Sequence, residues 1–523
     1  MMLGSTTENS NKLRINSVDL HADDFEKLLH ENVQIELCED VRVRVQKAYD
    51  LLEEFTNKKI IYGVNTGFGP MAQHRIERKD RIALQYNLIR SHSSGAGKAI
   101  PKHCVKAGML ARLRNFSLGY SGVHPDVVII LQKMINNDII PVIPEHGGVG
   151  ASGDLVQLAH LALSIIGEGK VFYNNEIKDT ELVFKGLGIK PLEIRLREGL
   201  AMINGTSIMS GISMVNIIES KKLINWSVLA SSMINELVQS FDDHYSAELN
   251  NVKRHKGQQE IAEAIRSITA SSKLVKTRIF HQVDTDESKV FDEKFQEYYS
   301  LRCLPQILGP IWDTIKNSQE VIENEINSVS DNPVIDIESR KVYHGGNFHG
   351  DYVSLEMDKL KIAITKLSML AERQLNFLMN DKLNNILPPF VNLGVLGVNL
   401  GMQGTQFTAT STVAENQTLS NPMYIHSIPN NNDNQDIVSM GTNSALLARR
   451  VINNSFQVLA IEILSLVQAV DYLGFADKLS EQSANLYHEI RAIVPKFTED
   501  KIMYQELDRV REYIEHNSPK ILK

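Results

Sequence analysis

The sequence predicts a mainly α-helical protein, a bundle of long helices with a smaller mixed part at its N-terminus. Past Asn204 most segments carry apolar residues at a spacing near 3.6. Several of them exceed about twenty-five residues without heptad charges, which is typical of long helices packed together and between subunits. Before Asn204, short alternating runs are mixed with helical ones. The predicted domains are therefore 1–204 and 205–523.

The N-terminal part is polar over 1–17, with a start expected to be disordered. A short strand and then a helix are predicted within 17–59, the helix with an apolar face of Val41, Val45, Ala48, Leu52 and Phe55. The glycine-rich loop YGVNTGFGP follows. Residues 71–85 are charged and lack an apolar stripe, so they fit a mobile lid or a solvated helix face equally well. Helices are then expected at 84–94, 103–117 and 125–136, with a small hairpin within 170–198.

The C-terminal part is predicted from segments of helical periodicity. One of them has its stripe formed by Leu360, Ile364, Leu367, Leu370, Ala371 and Leu378. No internal repeat or low-complexity tract is found. The segments of the C-terminal part predicted to be helical are 206–248, 259–268, 305–328, 353–384, 405–420 and 442–473.

The composition is that of an ordinary globular protein, with 43% hydrophobic and 23% charged residues. A net charge of −8 without a long basic run argues against nucleic acid or an anionic membrane as partner. The start of the sequence lacks the apolar core of a signal peptide, and polar residues interrupt the apolar run Val458–Val470. Three cysteines suggest a reducing compartment. A cytoplasmic protein is expected.

The stretch Glu145–Gly169 combines a glycine-rich loop with a helix, for which Asp154 is the expected N-cap. Such a loop suggests phosphate binding, but a phosphate loop needs Lys-Ser or Lys-Thr after its last glycine. Here Asp154 follows Gly153 and would repel a phosphate, so that interpretation fails and no nucleotide is expected.

The remaining feature of this loop is the tripeptide Ala151-Ser152-Gly153 near a helix N-terminus. The Gly153 nitrogen can attack the Ala151 carbonyl, and loss of water from the ring and from Ser152 leaves a methylidene-imidazolone (MIO). Glycine suits the attack because it lacks a Cβ. The helix N-terminus would strengthen this electrophile. A tripeptide alone is more often an ordinary turn, so the hypothesis depends on the rest of the chain.

Further motifs occur in order along nearly the whole chain, and with GGVGASGDL they resemble the MIO-dependent aromatic amino acid ammonia-lyases and aminomutases. This resemblance implies a fold of the ammonia-lyase/fumarase-like type and an MIO formed from Ala151, Ser152 and Gly153, with no metal. The other motifs are YGVNTGFG (Tyr62–Gly69), AMINGTS (Ala201–Ser207), YYSLRCLPQ (Tyr298–Gln306), SDNP (Ser330–Pro333), GGNFHG (Gly345–Gly350) and NQDIVSMG (Asn434–Gly441).

The resemblance also implies roles for residues within these motifs. An electrophile that captures the amino group and a base that removes the β-hydrogen answer the two difficulties of deamination. Tyr62 resembles the base, and Arg302 would bind the substrate carboxylate with its planar fork. Asn204, Tyr299 and Gln296 match positions that line the cofactor, and Phe348 resembles the aromatic residue beside it. Substrate-binding positions are matched by Gly69, Asn347, Glu415, Asn434 and Gln435. Outside their motifs, Tyr62 and Arg302 would be interpreted as packing and salt-bridge residues.

Substrate choice is predicted from two positions that disagree. Ser91-His92 lies where the family contacts the substrate ring, and histidine ammonia-lyases commonly have this pair. His92 can bind an imidazole or a phenol, whereas phenylalanine would leave it unpaired. Asn434-Gln435-Asp436 is instead typical of the phenylalanine and tyrosine enzymes. Over the whole chain the resemblance is greatest to bacterial tyrosine ammonia-lyases, so deamination of L-tyrosine to trans-p-coumarate is predicted.

Two alternatives within the family stay open, a histidine ammonia-lyase giving urocanate and an aminomutase that returns the ammonia to the β-carbon. A fumarase-like lyase needs no Ala-Ser-Gly electrophile, and its signature serine loop is not found. A non-enzymatic helical scaffold would not need Tyr62, Arg302 and Asn204 within their motifs. The resemblance further implies a homotetramer whose active sites are shared between subunits.

Overall fold

The computed structural model of the protein describes residues 11–31, 33–278 and 295–522. It is 59% helical, which confirms the mainly α fold class. Its helices are α1 (Ala22–His30), α2 (Glu39–Thr56), α3 (Arg81–His92), α4 (Lys102–Ser117), α5 (Asp126–Asn136), α6 (Val156–Ile165), α7 (Thr180–Leu187), α8 (Glu198–Ile203), α9 (Ser207–Leu237), α10 (Ala247–Asn251), α11 (Lys256–Thr269), α12 (Tyr299–Arg302), α13 (Leu304–Ile326), α14 (Asp351–Met379), α15 (Asp381–Asn384), α16 (Gln403–Leu419), α17 (Gly441–Leu473), α18 (Glu481–Ile493) and α19 (Tyr504–His516).

The strands are short and form small sheets. Two-stranded sheets pair β1 with β2 in parallel, β3 with β5 antiparallel and β8 with β9 antiparallel, while β4, β6 and β7 form an antiparallel sheet in the order β4-β6-β7. The strands are β1 (Lys12–Ile15), β2 (Gln34–Leu37), β3 (Ala96–Ala99), β4 (Ile140–Pro141), β5 (Pro144–His146), β6 (Lys170–Tyr173), β7 (Glu176–Asp179), β8 (Val334–Asp336) and β9 (Lys341–Tyr343).

The chain divides into two compact units. The first comprises Met1–Ile218, Ser318–Asp358 and Pro422–Leu447, and the second comprises Glu219–Asn317, Lys359–Asn421 and Ala448–Lys523. These units are defined by the contacts within each of them. The two domains predicted from the sequence, 1–204 and 205–523, stay a prediction.

The apolar faces predicted from helical spacing are buried. In α2, Val41, Val45, Ala48, Leu52 and Phe55 are buried, and so is the whole predicted stripe of α14. A core cluster in the first unit joins α2 to the loop that follows it, since Leu51, Leu52 and Phe55 pack with Ile61 and Val64. Burial of Ile61 and Val64 fixes the backbone on both sides of Tyr62.

Several elements differ from the sequence expectations. The structure adds α1, the pair β8–β9 and the helices α18 and α19. The small hairpin predicted within 170–198 is β6–β7, which ends at Asp179 and is followed by α7. The predicted helical segments 206–248 and 353–384 extend beyond the observed helices, because α9 ends at Leu237 and α14 ends at Met379. Disorder was expected at the start of the polar segment 1–17. Residues 1–10 lie outside the described part of the chain, whereas 12–15 form β1.

Helix α17 is long and apolar enough to cross a membrane, with a mean hydropathy of 1.5 over its most apolar window. By length and composition alone this helix is a candidate membrane span, although no span is expected from the sequence, where polar residues interrupt the apolar run Val458–Val470. However, 78% of that window is buried inside the protein, as in the core helix of a globular fold.

The same helix carries a buried carboxyl group, Glu462, which is 1% exposed. Neither of its oxygens has a hydrogen-bond partner among the described residues. Burial raises the pKa of Glu462 well above its usual value. In the unfolded chain the group ionises near pH 4.3, so folding stability is lost as the pH rises from there towards the folded-state pKa.

We therefore expect Glu462→Gln to stabilise the protein by about 1 kcal/mol or more at pH 8 and to have little effect at pH 4. Urea unfolding at both pH values measures this. Glu236→Gln is the matched control, because buried Glu236 accepts hydrogen bonds from the Ser480 amide and the Ser480 and Ser483 hydroxyls and should lose stability when replaced. An equal effect of Glu462→Gln at both pH values would contradict the prediction.

Candidate active site

The loop that carries Ala151-Ser152-Gly153 is fixed on both sides. Before the tripeptide, the Gly150 carbonyl accepts hydrogen bonds from the Gly350 amide at 3.0 Å and the Ser439 hydroxyl at 3.1 Å. After it, the Asp154 amide donates to the Gly205 carbonyl at 2.8 Å. The tripeptide is therefore a short, bent segment between two fixed points.

Gly153 occupies a position that a larger residue cannot take. Its φ is +74°, in the left-handed region, and a Cβ at this position would overlap the carbonyl oxygen of Gly205. Both the dihedral angle and the close approach of the Gly205 backbone require glycine. These are reasons of backbone conformation and packing, and the predicted attack of the Gly153 nitrogen on the Ala151 carbonyl stays a prediction.

Asp154 does not cap the helix that follows it, so that expectation was wrong. The residue before α6 is Leu155, and no side chain caps this helix. Instead the Asp154 carboxylate accepts hydrogen bonds from the amides of Ile208 at 2.7 Å and Met209 at 3.1 Å, at the start of α9. The Thr442 hydroxyl donates to it at 3.0 Å. Asp154 therefore attaches the tripeptide loop to the N-termini of α9 and α17.

Asp154 is also electrostatically unusual, because it is fully buried. Burial is the largest effect and raises the pKa of this carboxyl to about 7. The hydrogen bonds from Ile208, Thr442 and Met209 act in the opposite direction and lower the pKa, but by less. The three donors and the positive end of α9 all favour the ionised form.

Ser152 is half-buried and faces the loop before α17. The Gln435 side chain donates a hydrogen bond to its hydroxyl at 3.1 Å. Gln435 follows three consecutive residues in the left-handed conformation, Asn431, Asn432 and Asp433. Asparagine and aspartate tolerate this conformation better than other residues that have a Cβ. The neighbouring Asn434 side chain is exposed.

Tyr62 and Gly69 lie together at the two ends of their motif. The Tyr62 hydroxyl oxygen accepts a hydrogen bond from the Gly69 amide at 2.9 Å, and the rings of Tyr62 and Phe68 pack edge to face at 6.3 Å. An N–H group directed at this oxygen stabilises the charge that the oxygen would carry after losing its proton. The Tyr62 amide in turn donates to Nε2 of His344 at 3.4 Å.

Asn204 is held by a buried network that the sequence did not indicate. Its side-chain amide donates to Asp331 at 3.2 Å and to the Asn332 carbonyl at 3.3 Å. Asp331 forms an ion pair with Arg197 at 3.1 Å, and both side chains are fully buried. The SDNP motif was the only available signal for this network. Asn332, which was left out of the predicted site, accepts a hydrogen bond from the Gly345 amide at 2.9 Å.

The GGNFHG loop is tied to the tripeptide through its last glycine, because Gly350 donates to the Gly150 carbonyl. Within this loop the Phe348 side chain is half-buried and Asn347 is exposed. The structure thus places the loop beside Ala151-Ser152-Gly153, while the predicted contacts of Phe348 and Asn347 with cofactor and substrate stay predictions.

Ser91 and His92 form the last turn of α3. Nδ1 of His92 lies 3.0 Å from the Leu88 carbonyl oxygen and 3.1 Å from the Ser91 hydroxyl. Because a carbonyl can only accept, Nδ1 must carry the hydrogen. Burial lowers the pKa of His92, so the ring is neutral near pH 7. Nε2 is then a hydrogen-bond acceptor, and it has no partner among the described residues.

Gln296, Tyr299 and Arg302 belong to the second unit, where they line a pocket of about 610 Å³. The Arg302 guanidinium stacks on the Tyr299 ring at 4.7 Å, and its buried Nε has no hydrogen-bond partner among the described residues. Two hydrogen bonds fix the backbone between Tyr299 and Arg302. The Tyr245 hydroxyl donates to the Leu301 carbonyl and the Gln374 side-chain amide donates to the Ser300 carbonyl, both at 2.8 Å. This arrangement leaves a cation available to an anionic ligand. The pocket also contains residues outside the predicted set, namely Glu297, Tyr298, Ser300, Arg373, Asn376, Phe377 and Leu383.

Glu415, also in the second unit, does not line this pocket. Its carboxylate accepts hydrogen bonds from Arg450 at 2.6 Å and Asn454 at 2.9 Å. Its predicted role with the substrate stays a prediction.

The long-helix architecture is that of the tyrosine aminomutase from Streptomyces globisporus, with a TM-score of 0.91 and 34% identity over 96% of this chain and 97% of that one. A sequence model described as aromatic amino acid lyase matches residues 20–492. The chain belongs to the aromatic amino acid lyase family.

Individual relatives include ammonia-lyases and aminomutases. A histidine ammonia-lyase of Bacillus cytotoxicus is 35% identical over 95% of both chains. An MIO-dependent tyrosine 2,3-aminomutase of Streptomyces globisporus is 36% identical over 92% of this chain and 91% of the relative. The protein is therefore an enzyme of the ammonia-lyase and aminomutase type.

The family depends on an MIO group formed autocatalytically from a segment of the chain, and no metal is implied. The residues of this structure fit such a group at 151–153. The loop is fixed before and after the tripeptide, its third position accepts only glycine, and the Ser152 side chain has a single hydrogen bond to lose.

Proposed function

We propose that this enzyme removes ammonia from L-tyrosine to give trans-p-coumarate. The observation that carries the proposal is the state of His92. A neutral ring with Nδ1 bound to the Leu88 carbonyl presents only an acceptor at Nε2. A phenol hydroxyl donates to such an acceptor, and the unsubstituted ring of phenylalanine leaves it unpaired.

The MIO group that we assign to Ala151-Ser152-Gly153 would supply an electrophile for the amino nitrogen. Tyr62 removes the β-proton through its phenol oxygen, which the Gly69 amide stabilises after proton loss. Arg302 binds the carboxylate as a planar fork. Asn204 lines the cofactor. Ser91 supports His92, while Gln435, Asn434, Asn347 and Glu415 bind the amino and carboxylate ends. Phe348 packs beside the MIO ring. Tyr299 and Gln296 line the cofactor.

The proposed ring contact is tested with substrates that differ only in the para substituent of the ring. We expect kcat/KM for tyrosine to exceed that for 4-methoxyphenylalanine and for phenylalanine by about tenfold or more, since neither of the latter can donate to Nε2. The ether keeps the oxygen and replaces its hydrogen with a methyl group, so the polar atom is present without the ability to donate, and phenylalanine controls for the added bulk.

His92→Leu should reduce the tyrosine-to-phenylalanine preference by about tenfold or more. His124→Leu is the control, because His124 is also a partly buried histidine of the first unit but packs against Tyr49 outside the proposed site. A preference unchanged in the His92 variant would show that another residue contacts the phenol.

Two other activities have support of their own. An imidazole N–H can also donate to Nε2 of His92, which favours histidine ammonia-lyase activity. The tyrosine 2,3-aminomutase relative favours retention of the ammonia and its return to the β-carbon. Quantifying p-coumarate, urocanate and β-tyrosine from separate substrates distinguishes all three.

We further propose a cytoplasmic homotetramer with active sites shared between subunits. Large apolar side chains are exposed in the second unit, at Val395, Leu396, Val398, Leu400 and Phe407. A run of this kind is typical of a surface covered by another subunit. Light scattering of the purified protein measures the assembly, and a monomeric mass would contradict it.

A further inference from the structure

Gln85 is a fully buried polar residue in the middle of α3. Its side chain makes two hydrogen bonds to the backbone of other segments. Nε2 donates to the Gly63 carbonyl at 2.8 Å, and Oε1 accepts from the Leu200 amide at 2.9 Å. Both ends of the amide are therefore used, and the side chain joins three separate parts of the chain.

The Gly63 carbonyl bound by Gln85 belongs to the residue directly after Tyr62. The Gly63 backbone is itself constrained, since its φ is +69° and a Cβ there would overlap the Leu200 side chain. On its other side, the Gly63 amide donates to the Thr66 hydroxyl at 3.0 Å. Gln85 thus holds the backbone from which the Tyr62 ring projects.

The helix that carries Gln85 also carries His92, seven residues later. At 1.5 Å per residue the two positions are about 10 Å apart along a rigid helix. Helix α8 packs closely on the same place, because a Cβ at Gly199 would lie 2.6 Å from the Gln85 carbonyl oxygen. A direct polar connection therefore runs from the helix that contacts the substrate ring to the loop that bears the proposed base.

We propose that Gln85 is a positioning residue that sets the place of the Tyr62 hydroxyl relative to His92, and so relative to the β-carbon of a bound aromatic amino acid. The inference rests on the proposed function of Tyr62 as the base. Loss of the Gly63 contact lets the loop shift, and a misplacement of about 1 Å can cost two orders of magnitude in rate. The proposed contact of His92 with the substrate ring does not use this hydrogen bond.

The test compares steady-state kinetics with tyrosine for the wild type, Gln85→Met and Gln85→Asn. Methionine keeps the length of the side chain but makes neither hydrogen bond, and asparagine keeps the amide but is too short for both. We expect kcat to fall by about tenfold or more in the methionine variant, with KM changed by less than about threefold. The asparagine variant should lie between, and the tyrosine-to-phenylalanine preference should stay as in the wild type.

Gln468→Met is the matched control for the loss of a buried glutamine. Gln468 is buried in α17, donates to the Phe497 carbonyl at 2.6 Å and accepts from Arg491 at 2.7 Å. We expect it to lose stability in thermal unfolding as Gln85→Met does, but to keep its kcat. If Gln85→Met does not fold, the asparagine variant carries the comparison.

Tyr62→Phe separates this inference from the proposed function. An inactive Tyr62→Phe together with an unchanged kcat in both Gln85 variants would overturn the positioning role and leave the base in place. A loss confined to KM would overturn it as well. Wild-type turnover in Tyr62→Phe would overturn the base assignment, and the role of Gln85 with it.

Discussion

Ser152→Ala should abolish the deamination of tyrosine, with kcat falling by about a thousandfold or more. Without the hydroxyl to lose as water, the tripeptide cannot become an electrophile, and the amino group stays a poor leaving group. The fold should be intact, because the side chain gives up one hydrogen bond from Gln435, worth about 1 kcal/mol.

The covalent change itself can be measured by mass spectrometry of the peptide that contains residues 151–153. The wild-type peptide should be lighter than its sequence by the mass of two water molecules, and the Ser152→Ala peptide should not contain the ring. Ser164→Ala is the control, since Ser164 is a buried serine of α6 whose hydroxyl donates to the His160 carbonyl. Substantial turnover in Ser152→Ala would refute the electrophile.

Arg302→Met should lower kcat/KM for tyrosine by about a hundredfold or more. A hydrogen bond to a charged group contributes about 1.5–3 kcal/mol, and a guanidinium can make two of them to one carboxylate. Arg302→Lys should restore only part of the loss, because an ammonium group lacks the planar fork.

The pocket in the second unit offers a matched control for this arginine. Arg373 lines the same pocket, but its guanidinium is largely exposed and donates to Glu372 at 2.6 Å. We expect Arg373→Met to change kcat/KM by less than about fivefold. Equal losses of kcat/KM for Arg302→Met and Arg373→Met would show that the pocket acts through its overall positive charge. An unchanged kcat/KM for Arg302→Met would show that Arg302 does not bind the substrate.

Helical periodicity and local motifs could be predicted because they depend on residues that are close in sequence. The faces of α2 and α14 are buried as their spacing predicts. The requirement for glycine at 153 followed from the chemistry of the tripeptide, and the structure adds a physical reason in the Gly205 carbonyl.

Contacts between distant segments could not be predicted in this way. Asp154 looks like a cap for the next helix, yet its partners begin 54 residues later, at Ile208. The Gln435 side chain reaches Ser152 across 283 residues, and the pairing of Arg197 with Asp331 spans 134. A single sequence without homologues carries no signal for such pairs, whereas the short motifs around them do.

Deamination of tyrosine is tested by supplying tyrosine, histidine and phenylalanine separately to the purified enzyme. The products to be quantified are the conjugated acrylate, by its ultraviolet absorbance, and the β-amino acid. We expect p-coumarate to form from tyrosine far faster than the corresponding acrylates form from histidine and phenylalanine. Urocanate from histidine alone, or β-tyrosine with little p-coumarate, would contradict it.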